Sequence, residues 1–161
     1  MLIPPPHLAP QLLAEGVTLS LPIPLAGALF VIGLLGYALV NAIEIAVVAS
    51  SRIRVRAAAE EGHRAALALE RLKAAQERYF AVVVILQNLF VFLASTSGTI
   101  IAVDAFGRWG FLFSLIAIPL ISTEFGEYTP KVVAARSPER IAYAAAIPMA
   151  QARGFPPNVL P

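Results

Sequence analysis

The chain has 161 residues, of which 58% are hydrophobic and only 14% charged; soluble domains carry about 25% charged residues, so the composition is that of a membrane protein. A net charge of only +2 gives little support for a nucleic-acid partner. With no cysteine there is no disulfide, thiolate metal site or cysteine nucleophile.

Residues 1–24 hold six prolines and no Lys or Arg. A secretory signal wants a cationic start, so this stretch reads as a proline-rich lead. Residues 25–50 are long enough to cross a bilayer, which takes about 20 residues. Their single charge is Glu44, with Asn41 one turn earlier on the same face. A carboxylate at such depth costs a few kcal/mol and normally faces protein or a water-filled cavity. Glu44 either belongs to such a polar site or reaches headgroup water at the end of the span. Gly33 and Gly36 offer a small surface for close helix packing.

Residues 52–78 bring seven cations (Arg52, Arg54, Arg56, Arg64, Arg71, Lys73 and Arg78) among Glu60, Glu61, Glu70 and Glu77. Ala65, Leu69 and Leu72 fall at helical spacing. The pattern predicts one or two amphipathic juxtamembrane helices along a membrane face. Residues 79–103 carry no charge and predict a second span, with the adjacent amides Gln87 and Asn88 at its middle. Such amides serve as hydrogen-bond glue between helices or as ligands to something small. Residues 104–109 form a polar turn with an interfacial Trp109. The third span covers 110–127, with a kink expected at Pro119.

That span ends in Glu124-Phe125-Gly126-Glu127-Tyr128-Thr129-Pro130-Lys131. Pro130 has no N–H and clashes with the carbonyl four residues back, that of Gly126. A freed carbonyl beside Glu124 and Glu127 is an all-oxygen environment, suited to Mg²⁺, Ca²⁺ or Na⁺. The competing reading is a helix end at the membrane surface with its acids in headgroup water. Residues 131–148 follow as a second juxtamembrane segment, where Ser137-Pro138 can start a helix. Residues 149–161 make a proline-rich tail too short to span.

Cytoplasmic segments hold the excess of Lys and Arg. The cation-free lead therefore belongs outside, residues 52–78 inside, the 104–109 turn outside and the C-terminus in the cytoplasm. The expected fold is an all-α, multi-pass protein of the cell (inner) membrane with three transmembrane helices. At 1.5 Å per residue, Asn41 and Glu44, Gln87 and Asn88, and Glu124, Gly126 and Glu127 reach overlapping layers of its inner half. Oxygen donors from three helices at one level point to a shared polar pocket.

The run Gly126-Glu127-Tyr128-Thr129-Pro130-Lys131, followed by Arg136-Ser137-Pro138-Glu139-Arg140, resembles the membrane domain of the CNNM/CorC family of Mg²⁺ transporters. That family shows Gly-Glu-x-x-Pro-Lys and then Arg-Asn-Pro-Glu-Arg or similar. Glu44 through Ser50-Ser51-Arg52 is similar to the family's first-span Ser-Glu-Thr-Ala run, and Asn88-Leu89 to its second-span Asn-Leu. The resemblance covers residues 25–148. It implies a homodimer joined through its transmembrane helices in the lipid bilayer, exporting Mg²⁺ in exchange for Na⁺, with no enzymatic activity. It implies a metal site at Asn88, the Gly126 carbonyl and Glu127. Asn41 stands where the family often has serine and can offer a carbonyl oxygen, whereas Ile43, at another serine position, offers nothing. Glu44, Gln87 and Glu124 are the weaker members of the set. Family members usually continue into paired nucleotide-binding CBS domains, which these residues do not include. The same pocket would also suit an ion-binding sensor or scaffold that regulates another transporter. A membrane enzyme using two glutamates as acid and base has no Cys or paired-His motif to support it.

Overall fold

The computed structural model describes residues 21–152. Most of the lead and residues 153–161 of the tail lie outside the described residues. Among the described residues seven helices and one π-helical segment follow one another. They are α1 (Ile23–Ala49), α2 (Arg52–Glu60), α3 (Arg64–Ala74), α4 (Gln76–Phe106), α5 (Arg108–Ile121), the π segment (Ser122–Tyr128), α6 (Thr129–Arg136) and α7 (Pro138–Ala152). Three continuous stretches are long and apolar enough to cross a membrane: Ile23–Ala49, Gln76–Phe106 and Arg108–Arg136. The all-α architecture with three spans is as expected, although each span starts a few residues earlier. The third runs straight through the π segment into α6.

The breaks follow from local chemistry. Ser50 ends α1: its backbone turns extended and its hydroxyl donates to the Val47 carbonyl at 2.9 Å. Ser51 then caps α2, accepting from the Arg54 N–H at 3.5 Å. Gly62, at φ +82°, closes α2. Its N–H bonds the Ala59 carbonyl and the His63 N–H bonds that of Ala58, each at 3.0 Å. Those two bonds form a Schellman motif, with glycine at the left-handed position. The reversal between α4 and α5 needs only Gly107, at φ +57° and ψ −140°. Asp104 is still helical, so the polar turn is shorter than the sequence predicts.

The juxtamembrane helices do more than lie on a surface. Leu69 and Leu72 of α3, Val55 of α2, Ala134 of α6 and Ala142, Ala145, Ala146 and Met149 of α7 form one buried cluster. Val40, Ala46 and Val47 of α1 and Tyr79 and Val83 of α4 complete it. The cytoplasm-assigned ends of two spans are thus wrapped by the short helices. Of the three apolar positions read as a stripe, Leu69 and Leu72 are buried, while Ala66 takes the place of Ala65. Arg54 approaches Glu139 Oε1 at 2.8 Å, an ion pair between α2 and α7.

Small residues set the helix spacing. A Cβ on Gly33 would lie 2.6 Å from the Ala94 backbone nitrogen, and one on Gly36 would enter the Phe90 ring. The Gly33–Gly36 step is therefore a contact surface of α1 on α4. The tightest approach is at Gly110, where a Cβ would collide with the Ala102 carbonyl. Backbone cannot step aside as a side chain can. Gly110→Ala is expected to destabilise the protein by about 1–3 kcal/mol, the usual range for overpacking. Gly27→Ala, where nothing lies within 4 Å, should leave the thermal midpoint in detergent unchanged.

Candidate functional site

The α5–α6 helix changes register at Ser122–Tyr128. The Thr129 N–H bonds the Glu124 carbonyl, five residues back rather than four. Pro130 has no N–H to give the Gly126 carbonyl, and the ladder widens around that gap. The Gly126 carbonyl instead accepts from Asn41 Nδ2 of α1 at 3.1 Å. Glycine is required here: a Cβ would lie 2.5 Å from the Tyr37 ring.

Asn41, 1% exposed, is the hub. Its Nδ2 donates a second time, to the Tyr37 carbonyl at 2.9 Å. Its Oδ1 accepts from Gln87 Nε2 of α4 at 3.0 Å. The same Nε2 donates to Glu44 Oε2 at 2.8 Å. Carbonyls at Tyr37 and Gly126 and a donor at Gln87 dictate which end of the Asn41 amide faces which neighbour.

The charged half of the network lies one turn away. Lys131 Nζ donates to Glu127 Oε1 at 2.9 Å and stands 3.8 Å from Glu44 Oε2. The Tyr37 hydroxyl donates to Glu127 Oε2 at 3.3 Å. Two carboxylates from different helices thus share one ammonium. Among the described residues no three His, Cys, Asp or Glu side chains form a metal cluster. Any metal here would draw on two carboxylates plus amide and backbone oxygens, a donor set for a hard cation.

The structure brings together Asn41, Glu44, Gln87, Gly126 and Glu127. It does not bring in Asn88, which is exposed and donates to the Val84 carbonyl of its own helix at 2.9 Å. Consecutive helical residues diverge by about 100°. With Gln87 aimed at Asn41, Asn88 must point elsewhere. Glu124 is also exposed, because in the widened segment a three-residue step no longer returns to the same face. Two members of the network were missed by sequence reasoning. Lys131 lies at i+4 from Glu127 and Tyr37 at i−4 from Asn41, spacings that place side chains together on one helix face. Ser122 adds a buried hydroxyl without a hydrogen-bond partner at the start of the π segment.

The side chains of this network belong to the part of the chain that matches a family model. That model describes the Cyclin M transmembrane N-terminal domain (CNNM) and matches residues 28–153. The chain is also 34% identical over 93 residues to the UPF0053 inner membrane protein YfjD of Escherichia coli (strain K12). The aligned part is 58% of this chain but 22% of YfjD, so the chain spans only a fraction of that relative's length.

Proposed function

The chain belongs to the CNNM transmembrane-domain family, and on that premise we propose that it carries Mg²⁺ out across the inner membrane, in exchange for Na⁺, without enzymatic activity. The observation that supports this reading most is the convergence of oxygen-bearing groups from three spans on one interior point. In this reading the start of α1 faces outside and α7 the cytoplasm, with the network near the cytoplasmic leaflet.

The residues present fit a hard cation. The Gly126 carbonyl, released from the helical ladder, and Glu127 are fixed donors. Asn41 becomes a donor by turning its amide so that Oδ1 replaces Nδ2 beside Gly126. Glu44 and Gln87 supply further oxygens. Asn88 is tied to Val84 and points away from the network, so in this reading it becomes an oxygen donor only when α4 turns to exchange it for Gln87, and Glu124 stands exposed as an acid that attracts cations. Mg²⁺ sheds water reluctantly, so several rigid protein oxygens are needed to replace its shell.

The ammonium of Lys131 lies between the two carboxylates. One ammonium against Glu44 and Glu127 leaves a single negative charge. An empty carrier that still holds this ammonium meets less penalty in reorienting through lipid than one with two bare carboxylates. Mg²⁺ entry displaces Lys131 from Glu127, and Lys131 returns when the ion leaves.

The functional unit in this reading is a homodimer joined through the transmembrane helices. Ile85, Leu89 and Phe92 form an exposed apolar stripe on α4, and such stripes serve equally for lipid and for a second copy. Mg²⁺ flux in proteoliposomes made with this chain alone separates a carrier from an ion-binding sensor: the carrier reading predicts flux that follows an imposed Na⁺ gradient. Within the site, Asn88→Ala is expected to weaken Mg²⁺-dependent thermal stabilisation about tenfold, the loss of one oxygen ligand being worth about 1.4 kcal/mol. An unchanged response would confine the site to Asn41, Gly126 and Glu127 with their carboxylate neighbour.

A further inference from the structure

A second polar region lies apart from the ion network, where the end of α1, the start of α2, the end of α3 and the start of α4 meet. Three cavities adjoin there. One of about 240 Å³ is lined by Arg52, Val55, Arg56, Glu70, Lys73 and Ala74. One of about 180 Å³ has Val47, Val48 and Phe80 among its walls, with Arg52 and Lys73. The third, about 680 Å³, adds Glu77 and Arg78. Arg52 and Lys73 line all three.

The charges in this hollow are arranged against their own interest. Helix α2 begins with Arg52, Arg54 and Arg56 and has no acid in its first turn. The helix dipole places positive charge at that same end, and first-turn N–H groups lack helical acceptors. An anion at this end reverses the repulsion. Neither Arg52 nor Lys73 forms an ion pair within 4 Å among the described residues, although Glu70 and Glu77 line parts of the same hollow. Lys73 donates instead to the Ser50 carbonyl, which fixes its ammonium at the cavity wall. Burial, and next the Arg52 charge, hold the Lys73 ammonium below its ordinary pKa, with Glu139 opposing them. Two cations held near one another, with acids in the hollow but none within ion-pair distance of either, mark a place that suits an anion.

We propose that this hollow is a binding site for the phosphate group of an anionic phospholipid, clamped by Arg52 and Lys73 at the N-terminus of α2. The lipid is favoured over a free phosphate by the walls and by the location. Val47, Val48 and Phe80 are apolar, and they sit where α1 ends and α4 begins, at the boundary of the bilayer. Val48 is 51% exposed and Ile53, next to Arg52, is 83% exposed. Both are large aliphatic groups that lie beside the clamp and suit contact with acyl chains. The bound lipid would fasten α2 and α3 to the spans, and it would do so whether or not the polar network carries an ion.

The test uses the whole chain in a zwitterionic detergent, with thermal unfolding followed as phosphatidylglycerol or phosphatidylcholine is added. Phosphatidylglycerol should raise the midpoint with saturation and phosphatidylcholine should not. Arg52→Gln should weaken the phosphatidylglycerol response about fivefold, close to 1 kcal/mol for one cation at an anionic surface. Arg64→Gln, which removes an equal charge from the start of α3, outside the lining of the three cavities, should leave it near the wild-type value. Lys73→Gln serves as the second clamp variant; because Lys73 also holds Ser50, its midpoint without lipid is the reference for its response. Equal losses for Arg52→Gln and Arg64→Gln would show diffuse attraction and overturn the site. Inorganic phosphate reproducing the stabilisation at millimolar concentration would overturn its assignment to a lipid.

Discussion

Glu127→Gln is expected to abolish the stabilisation of the purified protein by Mg²⁺ and to stop Mg²⁺ flux in proteoliposomes. Glu127 is the carboxylate on the π segment itself, adjacent to the Gly126 carbonyl. Its two oxygens are engaged by Lys131 at 2.9 Å and by Tyr37 at 3.3 Å, so its position is fixed from two sides. The amide keeps the shape but loses the charge. A neutral oxygen cannot offset the dehydration of Mg²⁺, which in this reading depends on very few charged ligands. The apparent affinity should fall at least about a hundredfold, or roughly 2.7 kcal/mol. The variant must still fold, and its midpoint without Mg²⁺ is the control. Removing one partner of a buried ion pair costs about 3–5 kcal/mol, but Glu127 is 41% and Lys131 31% exposed. The exposed-pair value of about 1 kcal/mol or less is therefore the better guide. Folding survives that loss, and an unchanged Mg²⁺ response would remove Glu127 from the site.

Lys131→Met should act in the opposite direction. In the proposed reading the ammonium and Mg²⁺ compete for the same two carboxylates, and only one of them is tethered to the chain. Without Lys131, Glu44 and Glu127 face each other with no cation between them. The apparent Mg²⁺ affinity should rise about tenfold, while the midpoint without Mg²⁺ falls. Flux should drop even so, because the empty site now carries two negative charges through the reorientation step. Lys131→Arg keeps the charge and should keep both the affinity and the flux near wild type. If Lys131→Met weakened Mg²⁺ binding, Lys131 would be holding Glu127 in place rather than competing for it.

Some of this was readable from the residues. Three long apolar runs and their isolated polar groups placed Asn41, Glu44 and Gln87 near the Gly126–Glu127 corner, because apolar spans leave few alternatives for a buried amide or acid. Pro130 announced that the Gly126 carbonyl would need another donor, and Asn41 supplies it. What could not be read was rotational. Gln87 and Asn88 are neighbours with similar chemistry, and only the packing of α4 on α1, set by Gly33 and Gly36 against Phe90 and Ala94, decides which one turns inward. The exposure of Glu124 depends on a one-residue slip of the ladder, which no composition pattern reveals. Lys131 read as a cation of the cytoplasmic face, yet its i+4 spacing from Glu127 sets it over that carboxylate, and the packing of α1 brings Glu44 to the same ammonium. The clustering of α2, α3, α6 and α7 around the ends of the spans is a tertiary fact that their short amphipathic patterns only permitted.

The most direct measurement is the location of a bound ion. The protein would be crystallised with Mn²⁺ replacing Mg²⁺, and anomalous scattering from the metal would be mapped. The account predicts a peak enclosed by α1, α4 and the π segment, in contact with the Gly126 carbonyl and Glu127, with the Lys131 ammonium displaced from its present place. A peak confined to the exposed acids, or none in crystals soaked at saturating Mn²⁺, would contradict it.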